Sequence, residues 1–589
     1  MSIKTVGQVL IDTLVAAGVQ RVFGVPGDSL NAITDAIRKT EGITWSHVRH
    51  EESAAFAASA EAHLTGRLAV CAGSCGPGNL HLINGLYEAN RSRVPVLAIA
   101  AQIPSREIGS NYFQETRPEA LFRECSHYCE TISHSSQMPR VLDIAMQTAI
   151  ARRGVAVVVI PGDIANEAAT VTEPRLKFTY PDPVILPSEQ ELSNLAAILN
   201  RAKKVTILAG AGCRRAHAEL LALAGKLKAP IVHALRGKEF IEHDNPFDVG
   251  MTGLLGFSSG YHAMMNAQTL LMLGTDFPYQ DFYPTHATVV QIDILGEQLG
   301  RRTKLDLGVV GDVAQTLAAL LPRLDQKTDT DHLDRFVAHY RSARKELDEL
   351  ATDTPADGAV HPQYLTKILN DVAADDAIFT CDVGTPTLWA ARYLQMNGRR
   401  RLIGSFSHGS MANALPQAIG AQAAEPGRQV IALSGDGGLA MLMGELCTLK
   451  QMNLPIKIVV FRNDALGFVE LEMKAMGIIE YATDLKNPDF AKIAEASGLL
   501  GLRVDKPAQL PDALRKALSH DGPALVEVMV NRMELAIPPS ITASQAKGFS
   551  LYMIRAVLNG RGDQVLDLAN TSVLKETLAV AKSMFGAGL

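Results

Sequence analysis

Residues 429–463 restrict the fold more than any other stretch. Residues 430–433 are an apolar run of buried-strand type, and Gly435-Asp436-Gly437-Gly438 is a tight turn. Residues 439–452 have helical spacing without proline, and 456–461 form a second apolar run closed by Arg462-Asn463. A strand, turn, helix and strand at this spacing make two parallel strands with a crossover helix. Asp436 and Asn463 then fall at carboxyl ends of neighbouring strands, the edge where open α/β sheets bind ligands. A carboxylate and an amide oxygen are hard ligands that suit Mg²⁺. Gly437 and Gly438 let a phosphate reach the N–H groups at the helix start. The unit is expected to hold a Mg²⁺-diphosphate, with Asp436 and Asn463 as metal ligands. An ordinary strand–helix–strand unit with a glycine turn is the alternative.

The same alternation runs through the rest of the chain. Strands are expected at 21–25, 45–49, 68–72, 94–101 and 155–160, then at 205–209, 270–273 and 289–292, then at 377–381, with helical stretches between them. Alternating strands and helices predict an α/β protein of doubly wound parallel sheets. A length of 589 residues suggests about three or four domains. The expected division is 1–182, 183–335 and 336–533, followed by a helical tail at 534–589. Pro181, Pro183 and Pro187 mark the first linker. No sequence repeat is legible between the first and third domains. In the second, Gly210-Ala211-Gly212 is only part of a dinucleotide-binding glycine pattern, so NAD is not inferred. Asp293 closes a strand and can accept from a ribose hydroxyl.

Composition excludes some classes. A net charge of −6 argues against nucleic acid as the main partner. No uncharged apolar stretch is long enough to cross a bilayer. The seven cysteines are scattered, with no export signal, and read as reduced cytoplasmic thiols. Cys125, His127 and Cys129, like Cys71 and Cys75, lack the spacing of a zinc knuckle.

Arg49-His50-Glu51-Glu52 follows a short strand and opens an Ala-rich helix expected from residue 53. A glutamate there favours the helix dipole, and Glu52 is expected to be solvated and do only that. Glu51 bears a sharper reading through a resemblance. Gly435-Asp436-Gly437, the spacer 438–461 and Asn463 resemble the signature of thiamine diphosphate (ThDP) enzymes, with Arg462 in place of the first asparagine of the usual pair. Arg49-His50-Glu51 and Phe113-Gln114-Glu115 resemble motifs of the pyruvate oxidase and acetolactate synthase group. Residues 121–130, 233–239 and 546–553 are similar to the quinone-reducing, peripheral-membrane pyruvate oxidases of bacteria.

The resemblance implies pyrimidine, FAD and diphosphate domains in that order, and ThDP, Mg²⁺ and FAD as cofactors. It makes Glu51 the carboxylate that activates the aminopyrimidine. Phe113, Gln114, Phe468, Val469 and Glu472 would face the substrate. Gly384, Thr385, Gly409, Ser410, Met411 and residues Asp436 to Gly438 and Asn463, Asp464, Ala465, Leu466, Gly467, Phe468 and Val469 would contact ThDP. Thr252, Gly253, Leu254, Leu255, Thr275, Asp276, Phe277, Pro278, Tyr279 and Asp293 would contact FAD. The implied reaction is oxidative decarboxylation of pyruvate to acetate and CO₂, with electrons passing to ubiquinone. The implied assembly is a homo-oligomer, at least a dimer and expected to be a tetramer. The implied location is cytoplasmic, peripheral on the inner face of the cell membrane, with the tail binding phospholipid. On pattern alone, the tail helices at 545–558 and 563–585 read equally as docked on protein or lying at an interface. The alternatives are an acetolactate synthase-like carboligase, an oxygen-dependent pyruvate oxidase and a non-catalytic ThDP-fold regulator.

Overall fold

The computed structural model describes residues 4–170, 180, 183–355 and 358–534. The expected tail from residue 535 onward, with both of its helices, lies outside the described residues. Three six-stranded sheets carry the fold. The first contains β1 (Arg21–Gly24), β2 (Thr44–His47), β3 (Ala69–Gly73), β4 (Val96–Gln102), β5 (Tyr128–Thr131) and β6 (Val155–Pro161). The second contains β7 (Val205–Ala209), β8 (Ile231–His233), β9 (Asp248–Met251), β10 (Thr269–Leu273), β11 (Thr288–Asp293) and β12 (Leu307–Val310). The third contains β13 (Ile378–Cys381), β14 (Arg401–Gly404), β15 (Val430–Gly435), β16 (Lys457–Arg462), β17 (Leu500–Val504) and β18 (Ala524–Met529). All pair in parallel. Parallel sheets are covered by helices on both faces, which is why β3, β4, β6, β7 and β10 are buried along their whole length.

The first sheet runs β2-β1-β3-β4-β6-β5 and the third β14-β13-β15-β16-β18-β17. These are one topology, although no sequence repeat announces it. The second runs β12-β11-β10-β7-β8-β9, so the strand order proceeds outward in opposite directions from the β7–β10 pair. The loops after those two strands frame the crevice at that switch point, where doubly wound sheets take ligands.

The outer domains are joined through matching helices. Glu51–Thr65 follows β2, and Ala414–Ala424 follows β14. They pack so closely that a Cβ on Gly420 would lie 2.0 Å from the carbonyl oxygen of Ala57. The alanine runs on both helices permit that approach. One apolar core therefore includes Phe23, Ala57 and Leu82 together with Ile378, Ala418 and Val430. Another joins Met251 and Phe257 of the second sheet's domain to Trp389, Tyr393 and Phe461 of the third.

The helix expected over 439–452 is two helices, Asp436–Met441 and Glu445–Gln451. Gly444 sits at the break, where helix propensity is poor. The second helix opens with Glu445, whose buried carboxylate accepts the N–H groups of Arg49 at 3.0 Å and His50 at 3.1 Å.

Candidate active site

Four strand-end segments converge at the carboxyl edge of the third sheet. The segment after β13 carries Asp382, Gly384 and Thr385. Gly384 has φ +147°, a conformation that side chains disfavour, and caps the helix Thr385–Tyr393 without a side-chain hydrogen bond. After β15, Gly435 caps the Asp436 helix in the same open manner. Two helix starts whose N-cap glycines offer no side-chain hydrogen bond thus lie side by side, and a Cβ on Gly435 would touch Pro386 at 3.9 Å. Met411, from the Gly409–Met411 turn, would meet a Cβ on Gly437 at 3.3 Å, and Leu466 would meet it at 3.4 Å. Gly467 packs on Thr385 and on the amide of Asn463. Gly438 must be glycine, since its Cβ would lie 2.3 Å from Asp382 Oδ2.

Asp436 is buried, and its Oδ2 accepts from Asp464 N at 2.7 Å and from Asn487 Nδ2 at 2.9 Å. Burial pushes its carboxyl up to about 6, against the pull of the Gly437 and Asp464 N–H groups. A bound dication reverses that logic by favouring the ionised form. Asn463 Oδ1 accepts from Ala465 N at 3.1 Å, and Asp464 stands in the left-handed region at φ +52°. Carboxylate and amide oxygens beside two open helix starts fit a hard cation carrying a diphosphate.

Arg462 does not disturb this edge. It turns away from it, onto the fully buried Glu527 at 2.5 Å, and donates to Asp464 Oδ1 at 2.9 Å and to the carbonyl of Pro488 at 2.8 Å.

Glu51 is the first residue of its helix, 7% exposed, and its Oε2 is 2.9 Å from His81 Nδ1. His81 stacks on His50 with ring centroids 4.3 Å apart. The helix begins at Glu51, not at residue 53, because His50 caps it by accepting from Glu52 N at 3.2 Å. Glu52 is not merely solvated: it is half-buried and accepts from Asn84 Nδ2 at 2.6 Å. Asn84 also donates to Ser410 Oγ at 3.0 Å, so the first domain touches the Gly409–Met411 turn. Asp436 and Glu51 take their hydrogen bonds from different domains of the chain. Gln114, at φ +63°, packs under Gly76 beside Cys75, and Phe113 next to it is 78% exposed.

At the switch point of the second sheet, Gly210 and Gly212 pack directly on the Gly274 backbone. Asp276 pairs with Arg93 of the first domain at 3.0 Å. Thr275 Oγ1 accepts from Phe277 N, and Phe277 packs on Gly253, which has φ +98°. Thr252 is buried with its hydroxyl unpartnered, and Asp293 is buried at the end of β11, its carboxyl raised by desolvation. Leu254 and Tyr279 are exposed beside them, Leu255 is half-buried, and Pro278 links Phe277 to Tyr279. An orphan hydroxyl, a strand-end carboxylate and glycines at a switch point fit a dinucleotide such as FAD.

The helix Gly467–Ala475 follows the Asn463 segment. Glu470 and Lys474 face inward, whereas Val469 and Glu472 are exposed and Phe468 is half-buried. Burial, with the charge of Glu472, raises the Tyr279 phenol above its ordinary value.

Sequence reasoning missed His81, Asn487 and Glu445. Nothing in the local pattern marks His81 or Glu445, because both act across separate elements. Asn487-Pro488 is a turn dipeptide and carried a usable signal.

Residues 4–121 match the thiamine pyrophosphate enzyme N-terminal TPP binding domain, 192–320 the central domain and 382–528 the C-terminal TPP binding domain. The chain is 38% identical to the putative thiamine pyrophosphate-containing protein YdaP of Bacillus subtilis, over 94% of this chain and 96% of that one. It is 33% identical to the pyruvate oxidase of Lactiplantibacillus plantarum, over 89% and 88%. It is 31% identical to the acetolactate synthase isozyme 2 large subunit of Escherichia coli, over 91% and 98%.

Proposed function

The chain belongs to the thiamine pyrophosphate enzyme family, and from that premise we propose that it decarboxylates pyruvate oxidatively: pyruvate and water give acetate, CO₂, two electrons and two protons. ThDP, when bound, would supply the electron sink for decarboxylation, and FAD would supply the acceptor for the electron pair. The residues would divide the remaining work. Asp436 and Asn463 would hold Mg²⁺, and the Thr385 and Asp436 helix starts would bind the diphosphate. Met411, against Gly437, would prop the cofactor. Glu51, held by His81, would hydrogen-bond the pyrimidine ring nitrogen and hold or move a proton there. Phe113, Gln114, Val469 and Glu472 would face the substrate. Thr252 and Asp293 would hold the flavin. The site would be completed by the Glu51 edge of one copy meeting the Asp436 edge of another, in at least a dimer.

The observation that supports this reading is the buried, unpartnered Thr252 hydroxyl with the strand-end carboxylate of Asp293 at the switch point of the second sheet, in a chain similar to a pyruvate oxidase. The proposed acceptor is ubiquinone at the inner face of the cell membrane, with the tail on phospholipid. That part is supported by the resemblance alone, and no described helix is long and apolar enough to cross a membrane.

Product analysis separates this reading from its rival. With pyruvate and a soluble quinone analogue, acetate and CO₂ are expected in equal amounts with reduced quinone. Acetolactate without quinone reduction would make the chain a carboligase. Vesicle sedimentation of the full chain and of a truncation before Gly560 checks the tail, with lipid binding expected only for the full chain.

A further inference from the structure

Arg462 is the residue at which the chain departs from its family's asparagine pair, and the mechanism above leaves it without a task. Its side chain makes a connected set of bonds. Arg462 Nη1 is 2.5 Å from Glu527 Oε1, Nε is 2.9 Å from Asp464 Oδ1, and Nη1 and Nη2 donate to the carbonyl oxygens of Pro488 at 2.8 Å and Asn487 at 3.3 Å. Glu527 is fully buried and also accepts Ala491 N at 3.0 Å, near the start of the next helix. Arg462 therefore joins the end of β16 to the 487–488 main chain. An asparagine is too short to span Glu527, Asp464 and Pro488 together.

The 487 loop leads back to the strand edge. Asn487 Nδ2 donates to Asp436 Oδ2 and to Asp464 Oδ1, both at 2.9 Å. Asp464 N donates to the same Asp436 oxygen at 2.7 Å, and Leu485 N donates to Asp464 O at 2.9 Å. Asp436 Oδ1 accepts the N–H of Gly437 at 2.9 Å. One carboxylate oxygen is thus saturated by donors from the 464 and 487 segments, which fixes the plane of the group. The other keeps capacity for a further partner, since an ionised carboxylate offers about four lone-pair sites.

We propose that Asn487 is a positioning residue for the divalent cation, and that Arg462 is the clamp that sets Asn487 against Asp436. The proposal rests on the reading of Asp436 and Asn463 as cation ligands. Partners one shell out from a metal orient the ligating carboxylate, and their loss typically weakens metal binding by about 10- to 100-fold. Here the outer shell is a two-member relay. The charge that would otherwise sit uncompensated on Glu527 also fixes the loop that carries the amide. The shortened asparagine pair is thereby compensated from a segment more than twenty residues downstream.

The test uses the full chain and reads binding, not turnover. Mg²⁺ is titrated calorimetrically at saturating ThDP against wild type, D436N, N487A and the charge-matched double variant R462N/E527Q, and the melting temperature of each metal-free protein is recorded. For N487A the expected result is an Mg²⁺ dissociation constant raised about tenfold or more with a metal-free melting temperature near wild type, a split that a purely structural role does not produce. R462N/E527Q is expected to weaken Mg²⁺ binding in the same sense. If D436N loses binding while N487A binds Mg²⁺ like wild type, the positioning role is overturned. If N487A is weakened but R462N/E527Q is not, the clamp is overturned. If wild type itself shows no Mg²⁺-dependent ThDP binding, the cation site fails and takes the proposal with it.

Discussion

In the first sheet, β3 runs into Gly73 and the helix Pro77–Ser92, whose His81 holds Glu51. In the third sheet the matching strand, β15, runs into Gly435 and a helix that begins at Asp436. The strand order around them is the same. The helix after the second strand also matches in both, and the two copies pack on each other at Ala57 and Gly420. What differs is the strand-end chemistry. One edge presents a carboxylate beside a histidine, and the other presents oxygen ligands and open helix starts. On the proposed reading, a single topology would serve proton transfer at one edge and phosphate and cation binding at the other. The division depends on a few residues at strand ends and not on the sheets.

The strongest way to break that division is to remove a ligand from one edge only. Asp436→Ala is expected to weaken Mg²⁺-ThDP binding by at least ~100-fold while the Glu51 edge stays folded, as checked by titration calorimetry and circular dichroism. Glu51→Gln is the reciprocal change. It is expected to lower kcat by ~100- to 10,000-fold, the usual range for a lost acid–base group, with ThDP still bound. Equal loss of cofactor binding in both variants would erase the distinction between the edges.

The remaining predictions sharpen the comparison through stability. Arg462→Met leaves Glu527 buried without its partner, and breaking such a pair costs about 3–5 kcal/mol, to be read by denaturant unfolding. Adding Glu527→Gln should recover part of that loss. Gly420→Ala drives a methyl into the Ala57 carbonyl and is expected to destabilise by about 1–3 kcal/mol in the same assay, loosening the seam between the matched helices.

The last prediction concerns pH. Burial pushes the Asp382 carboxyl, beneath Gly438, up to about 7. Between the unfolded value near 4 and pH 7 the folded state keeps this proton and the unfolded state does not. Stability therefore falls as pH rises through that window and levels off above it. Buried His233 and half-buried His332, lowered to about 3 and about 4, contribute the opposite slope below about pH 6.5. The wild-type minus Asp382→Asn difference isolates the Asp382 part, and a flat difference from pH 4 to 7 would contradict it.

The fold class was legible because parallel strands buried on both faces are written as unbroken apolar runs. The third-sheet edge was legible because its chemistry is local: Asp436, the glycines and Asn463 lie on one unit. The match between the outer sheets was not, since topology leaves no periodic trace when the side chains diverge. Glu445 and His81 were hidden for a related reason. Each meets its partner across the chain, Glu445 at the Arg49 backbone and His81 at Glu51, and such pairings follow only from the packing. The continuous helix expected over 439–452 failed at Gly444 because the tertiary bond of Glu445 outweighs helical spacing.

The central claim is that the Glu51 edge and the Asp436 edge act together to send electrons from pyruvate to a flavin. Anaerobic mixing of pyruvate with enzyme loaded with ThDP, Mg²⁺ and FAD, followed by flavin absorbance, tests it most directly. The account predicts bleaching in wild type and none over the same time in Glu51→Gln. Pyruvate consumption with the flavin left oxidised, or bleaching in Glu51→Gln at the wild-type rate, would contradict it.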